Sequence, residues 1–82
     1  MYELPDKPKE RNLFFLTGYY YGLSWLYSEE NIWDSKKARE SAEQFIYGVK
    51  YLLPDKDDDK DDYFCLLGKL WACHDYLEGE DQ

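Results

Sequence analysis

The longest stretch without a charged residue runs from Asn12 to Ser28, in a chain of which 34% of the residues are charged. At 100° per residue, its apolar side chains cover most of the circumference of a helix, as is typical of a buried helix. We expect a first helix over residues 8–29, with Asp6 as its N-cap and Pro8 in its first turn. A strand is the alternative, because consecutive Tyr and Phe residues favour sheets.

Two further helices are predicted over residues 35–53 and 62–78. The second begins at Asp34 or Ser35 and ends before Pro54, and the third is capped by Asp61 or Asp62. Each presents apolar residues at helical spacing on one face. In the second helix these are Ala38, Ala42, Phe45, Ile46, Val49, Leu52 and Leu53. In the third they are Tyr63, Leu66, Leu67, Leu70, Cys73, His74 and Leu77.

Three helices with short connections predict an all-α fold, a compact three-helix bundle that forms a single small domain over residues 1–82. Residues 54–61 are expected to form an acidic inter-helix loop, and residues 79–82 a frayed acidic tail. We expect Ile32 and Trp33, between the first two helices, to fold back onto the core.

The first helix is too apolar for two neighbouring helices to cover it. One hypothesis is therefore a homodimer through this helix, in which Gly18 and Gly22 let another backbone approach closely and Tyr21 and Trp25 lie beside them. A transmembrane span is disfavoured, because the stretch is slightly short and contains Gly, Thr and Ser residues.

The charge balance favours a basic partner. The chain has 18 acidic and 10 basic residues, which gives a net charge of -8. This acidity argues against nucleic acid or an anionic membrane as a direct partner. The alternative is that the acidity serves solubility alone.

The acidic segment, which we define as residues 55–62, holds six Asp and two Lys, hence four net negative charges. It does not fit a calcium-binding EF-hand loop, because Lys60 replaces the required Gly and Leu66 the required Glu. Fully extended, it would span roughly 27 Å, or about 7 Å per net charge. Duplex DNA carries one charge per about 1.7 Å, so the segment alone is too dilute to imitate a duplex unless other acidic residues join it.

No residue pattern indicates catalysis, a metal or a cofactor. Cys65 and Cys73 lie about 12 Å apart along one helix, too far for a disulfide, and with no signal peptide the free thiols predict a reducing cytoplasm. Cys73 and His74 are adjacent and point about 100° apart, which suits neither zinc nor a nucleophile with its base. With no phosphate loop or nucleophile elbow either, we expect a protein that is not an enzyme.

The sharpest interaction signal lies on the second helix. Tyr47 and Tyr51, one turn apart, are expected to point away from its buried face, beside Glu40 and Gln44. Tyr is enriched at binding hot spots, and flanking carboxylates suit a basic groove. The alternative is that both rings are covered by the N-terminal segment. The predicted partner-binding set is Tyr47, Tyr51, Glu40, Glu43, Asp57, Asp58, Asp59, Asp61 and Asp62.

Together these features predict a small acidic inhibitor or decoy. It would block a positively charged, nucleic-acid-binding surface of a partner such as a nuclease. Viral anti-defence proteins, among them anti-restriction and anti-CRISPR proteins, and toxin-immunity proteins share this size and acidity, which is an analogy of composition and not of motif. The alternative is a non-catalytic structural or assembly protein that forms the homodimer described above.

Overall fold

The computed structural model describes residues 3–79 and has three α-helices, as predicted. They are α1 (Leu13–Ile32), α2 (Ser35–Val49) and α3 (Lys60–Gly79). No strand occurs in residues 3–79, so the strand alternative for the first helix is wrong. The predicted tail is described only at Gly79, the last residue of α3, and residues 80–82 lie outside the described part of the chain.

The predicted start of the first helix, at residue 8, is wrong. The cap is Asn12, whose side-chain oxygen accepts a hydrogen bond from the backbone N–H of Phe15 at 2.9 Å. Upstream of Asn12 the chain crosses α3, where the indole N–H of Trp71 donates to the carbonyl oxygen of Pro5 at 2.9 Å. Pro8 favours an extended residue before it, which suits this crossing and not a helix.

The connection between α1 and α2 also differs from the prediction. The first helix continues three residues beyond Glu29, to Ile32, and Asp34 then caps α2 by accepting from the N–H of Lys37 at 2.8 Å. Ile32 and Trp33 are 67% and 66% exposed, so the expectation that they fold onto the core is wrong. Leu26, one and a half turns before Ile32, is the last fully buried residue of α1.

The second helix ends at Val49, four residues before the predicted end, and Leu52 is consequently exposed. Gly48 weakens the final turn, because glycine has a low helix propensity. The third helix begins at Lys60, so Asp61 and Asp62 lie in its first turn and do not cap it. Its buried face includes Phe64 and Tyr76, which the predicted face omitted.

The helices run up, down and up, so that α1 and α3 are parallel neighbours. Gly18 lies against Cys65 near the start of both helices, and Tyr27 contacts Tyr76 near their ends. α2 runs antiparallel to both, since Ser41 bonds Glu29 and Arg39 bonds the carbonyl of Leu77. The starts of α1 and α3 and the end of α2 therefore meet at one end of the bundle, together with the acidic segment.

Two clusters of buried side chains form the core. The larger lies among all three helices and contains Leu26, Ala38, Ala42, Ile46, Leu70, Cys73, Tyr76 and Leu77. The smaller joins α1 and α3 and contains Phe15, Phe64 and Leu67. Both clusters leave the solvent-facing side of α2 and the acidic segment outside the core, where they can contact a partner.

Candidate functional site

The solvent-facing side of α2 brings together most of the residues that the sequence pattern singled out there. Glu40, Glu43, Gln44, Tyr47 and Gly48 line one shallow groove, and the ring of Tyr47 is more than half exposed. Their spacing of three and four residues places these side chains on one side of a helix. This groove therefore combines two carboxylates with an accessible aromatic ring.

Tyr51 does not continue this helical surface. Because α2 ends at Val49, Tyr51 lies in the turn that follows, 78% exposed, with the Lys50 ammonium nitrogen 5.2 Å from its ring centroid. The predicted one-turn spacing to Tyr47 along a helix is therefore wrong. The N-terminal segment, as far as it is described from residue 3, covers neither ring, since Leu4 packs against the core and Pro5 and Lys7 lie against Trp71.

The acidic segment is folded tightly and not extended. Asp55 accepts two hydrogen bonds from the chain that follows it, one to its side chain from the N–H of Asp57 at 2.8 Å and one to its carbonyl from the N–H of Asp59 at 2.9 Å. Asp61 and Asp62 then lie on the first turn of α3. The spacing of about 7 Å per net charge expected for an extended chain is consequently too wide, because turns and helices rise far less per residue.

These carboxylates crowd one another without cationic partners. Within residues 3–79, no Lys or Arg nitrogen lies within 4.0 Å of a carboxylate of the acidic segment. A hydrogen bond with Asp59, followed by the charge of Asp59, raises the pKa of Asp62 above its ordinary value of 3.8. Neighbouring negative charge favours the protonated acid, so Asp59 and Asp62 lie close enough for their carboxylates to interact.

Two other acidic residues, Asp75 and Glu78, lie in the last turns of α3, away from this segment. Asp75 accepts a hydrogen bond from the hydroxyl of Tyr19 at 2.6 Å and lies 3.2 Å from the ring of His74. Glu78 lies 3.8 Å from the other ring nitrogen of His74. Burial, and then the bond to Asp75, raises the pKa of Tyr19. The bond from Tyr19 to Asp75 joins α1 to α3, whereas the contact of Glu78 with His74 lies within α3.

A basic groove, which the sequence reasoning missed, lies at the same end of the bundle as the acidic segment. The N-terminal segment, Lys56 and the start of α3 form it; its cations are Lys7, Lys9, Arg11, Lys56 and Lys60, and two carboxylates, Asp6 and Glu10, also line it. Among residues 3–79 the one ion pair that these five cations make is that of Lys7 with Asp75, at 4.0 Å. The cluster of Lys7, Lys9 and Arg11 within five residues was a usable signal for a local excess of positive charge.

Gly18 and Gly22, which were predicted to mediate self-association, pack against α3 of the same chain. A Cβ on Gly18 would collide with the carbonyl oxygen of Cys65, and one on Gly22 would lie 2.9 Å from the Cβ of Ala72. Both glycines therefore face α3 and are inaccessible to a second copy while the bundle is intact. Of the other two residues in that set, Trp25 is half-buried against Phe45, and Tyr21 is exposed.

The cysteines are free, and burial raises the pKa of the Cys73 thiol to about 12. A thiol with such a pKa stays protonated at neutral pH and is a poor nucleophile. Within the described residues, no group of three or more His, Cys, Asp or Glu side chains is placed to hold a metal ion. None of the helices in residues 3–79 has the length and apolar character needed to cross a bilayer.

Comparison of the chain with protein-family models, curated proteins and solved structures found no match.

Proposed function

We propose that this chain is a non-catalytic inhibitor that binds a positively charged, nucleic-acid-binding surface of a partner protein and blocks it. The observation that carries the proposal is the tightly folded acidic segment, whose exposed carboxylates have no Lys or Arg nitrogen within 4.0 Å in residues 3–79. Like charges held close together repel, and a Lys- or Arg-rich surface that approaches them relieves that repulsion. The segment thus favours a basic partner more strongly than the net charge of -8 alone would.

The neighbouring aromatic rings supply the second element of the mechanism. Tyr47 on α2 and Tyr51 on the following turn are both exposed, and Tyr51 directly precedes the residues that lead into the acidic segment. Carboxylates at the rim of an interface speed encounter, whereas buried aromatic anchors slow dissociation. Exclusion of nucleic acid would then be steric and electrostatic, with no bond made or broken.

The first test is capture of partners from a host lysate with the tagged full-length chain, at about 50 mM and about 500 mM salt. We expect a basic, nucleic-acid-binding protein that is retained at low salt and lost at high salt, because screening weakens contacts between exposed charges. Excess duplex DNA should displace the chain from that protein. A captured protein that binds the chain and DNA simultaneously would contradict blocking of a nucleic-acid surface.

Two kinds of variant then separate the roles of the rings and the carboxylates. Tyr47→Ala or Tyr51→Ala should weaken binding by about 2 kcal/mol through faster dissociation, as expected of hot-spot residues. Asp57→Asn or Asp59→Asn should each cost less than about 1 kcal/mol and act through slower association. Tyr20→Ala, an exposed Tyr on α1, is the matched control and should leave binding unchanged. If neither Tyr variant alters inhibition, the proposed anchor surface is wrong.

A further inference from the structure

Half of the basic residues of this acidic chain lie around one groove. The sequence has ten Lys and Arg in all, and five of them line the basic groove described above. Because the chain also has 18 acidic residues, cations on its surface would be expected to find carboxylate partners. In residues 3–79, however, Lys7 alone among these five lies within 4.0 Å of a carboxylate. Unpaired cations concentrated at one place in an acidic protein require an explanation.

The fold sorts the mixed charges of the acidic segment to different sides. The structure describes the whole segment, and both of its Lys line the basic groove whereas none of its six Asp does. The Lys56 ammonium nitrogen lies 5.8 Å from the ring centroid of Phe64, which also lines the groove. The two carboxylates that do line the groove are those of Asp6 and Glu10. Five cations against two carboxylates leave the groove with an excess of three positive charges.

Contacts on both sides of the basic groove hold its shape. On the N-terminal side, the carbonyl of Pro5 accepts a hydrogen bond from the indole N–H of Trp71 at 2.9 Å. The Lys7 ammonium nitrogen lies 4.8 Å from the centroid of the same ring. On the other side, the backbone N–H of Tyr63 donates to the carbonyl of Asp59 at 2.9 Å. The fold thus holds cations from two distant stretches of the chain side by side, which lowers the cost of binding a ligand between them.

The size of the groove and the number of its cations favour a compact anion with several charges. The groove has a volume of about 540 Å³, which is within the range of small-molecule sites. A short chain of phosphates carries several negative charges in a small volume, whereas each carboxylate of a peptide brings one charge and a whole residue. Lys ammonium groups and the forked N–H donors of Arg11 both bind phosphate oxygens.

A compact ligand also avoids the repulsion that the rest of the molecule exerts on anions. Interactions between exposed charges are screened over roughly 8 Å at physiological ionic strength, so a short ligand experiences mainly the cations that line the groove. A long polyanion such as a nucleic acid would extend onto the acidic segment, whose Asp61 lies on an adjoining groove with Arg11 and Lys60. The net charge of -8 therefore opposes a long polyanion more than a short phosphate chain.

We propose that the basic groove binds a compact polyphosphate, which is either a free chain of two or three phosphates or the phosphate chain of a nucleotide. Lys9, Arg11 and Lys60, which make no ion pair in residues 3–79, contact its oxygens. The half-buried ring of Tyr63 also lines the groove and offers a nucleotide base a surface for stacking. The site does not depend on the proposed inhibitor function, because it uses neither the exposed ring of Tyr47 nor the carboxylates of the acidic segment.

The experiment is isothermal titration calorimetry of the full-length chain with sodium tripolyphosphate at neutral pH. At about 50 mM salt we expect one saturable site with a dissociation constant below about 1 mM, which rises with salt as the charges are screened. ATP is the second probe and distinguishes the two sources of phosphate. Tighter binding of ATP than of tripolyphosphate indicates a nucleotide, and equal or weaker binding indicates a free phosphate chain.

A matched pair of double variants locates the site. Lys9→Gln combined with Lys60→Gln removes one exposed cation from each side of the groove, and the dissociation constant for tripolyphosphate should rise at least about tenfold. Lys36→Gln combined with Lys37→Gln removes the same charge from an exposed turn of α2 and should change it less than about twofold. Circular dichroism checks that both variants keep their helices. Tyr47→Ala, which should weaken inhibition, should leave tripolyphosphate binding intact, so the two proposals fail separately.

Four results would overturn the inference. One is the absence of saturable tripolyphosphate binding. Another is a loss of affinity in the groove variant that is no larger than in the α2 variant, which would indicate a general effect of charge. The third is a tetra-aspartate peptide that binds as tightly as tripolyphosphate, which would indicate a site for acidic peptides. The fourth is an oligothymidylate that binds more tightly than tripolyphosphate, which would indicate a nucleic-acid surface.

Discussion

Two regions of the molecule are under opposite physical constraints. One is the close contact between α1 and α3, which we call the seam, and the other is the acidic segment, at the acidic end of the bundle. At the seam, Gly18 and Gly68 let two backbones come so close that a Cβ on either would collide with a carbonyl oxygen of the other helix. At the acidic end, the carboxylates of residues 55–62 are exposed and meet no cation within 4.0 Å in the described part of the chain. The seam fixes the fold through contacts that admit no extra atom, whereas the carboxylates of the acidic end lie exposed at the surface. Substitutions should therefore destabilise the fold strongly at the seam and only slightly at the acidic end.

The largest expected effect is loss of the seam. Gly18→Ala or Gly68→Ala should lower the free energy of unfolding by about 3 kcal/mol or more, because backbone must move to admit the new methyl group. Gly48→Ala is the control, since nothing lies within 4 Å of the added Cβ. It should raise stability by about 0.5–1 kcal/mol through helix propensity. Urea unfolding followed by circular dichroism measures all three, and equal effects would contradict the proposed seam.

Alkaline pH should destabilise the larger core cluster, which contains Cys73. Burial raises the pKa of the Cys73 thiol from 9.0 to about 12, so its contribution to stability is complete below pH 9.0 and lost as the pH rises through the folded-state value. Burial and the bond to Asp75 raise the pKa of Tyr19 above its ordinary 10.0, which adds loss in the same direction. Stability should fall between pH 9.0 and about 12, at up to about 1.4 kcal/mol per pH unit from Cys73.

Cys73→Ala tests that assignment. The substitution should reduce the slope of the free energy of unfolding against pH between pH 9.0 and about 12, even if it also lowers stability at neutral pH. Thermal unfolding from pH 7 to pH 11 measures the slope. An unchanged slope would mean that the thiol is not the group responsible.

A smaller effect is expected from the hydrogen bond that joins α1 to α3 beside the seam. Tyr19→Phe removes the 2.6 Å bond to Asp75 and should cost about 1–2 kcal/mol. A hydrogen bond to a charged group normally contributes more to stability than one between neutral groups. The contribution expected here is at the low end for charged groups, because Asp75 is partly exposed and retains Lys7 and His74 as neighbours. Tyr51→Phe, which alters an exposed ring outside the helices, should change stability by less than about 0.5 kcal/mol. Comparable losses in the two variants would show that the bond to Asp75 contributes nothing.

The smallest effect is expected at the acidic end. The pKa of Asp62 is raised in the folded chain, so the folded state binds a proton more readily than the unfolded state does. The free energy of unfolding should therefore increase as the pH falls through that pKa. Asp62→Asn should therefore raise the melting temperature slightly at pH 7, and the gain should disappear below the ordinary value of 3.8. Asp58→Asn, an exposed change in the same segment, is the control. A lower melting temperature for Asp62→Asn at pH 7 would show that the charge of Asp62 stabilises α3.

The number of helices was predictable because each of the three shows apolar residues at helical spacing, and Asp34 was a visible cap. Their ends were less predictable, because ends depend on contacts outside the helix. Trp71, far along the chain, donates to the carbonyl of Pro5 and so holds the segment before Asn12 against α3. Of the proposed partner-binding surface, the groove with Glu40, Glu43 and Tyr47 followed from spacing, while the position of Tyr51 depended on where α2 ends.

By itself, the sequence determined three helices, a strong acidity and an uncharged first helix, since all three depend on local composition and periodicity. The tertiary structure alone decided which side of α1 faces α3, because the close approach depends on Gly68 as well as on Gly18. It also turned Glu29 and Glu30 inward and brought Lys56 and Lys60 beside Lys7, Lys9 and Arg11. The physical reason is that these features pair residues far apart in the chain, and local periodicity carries no information on which distant residues will meet.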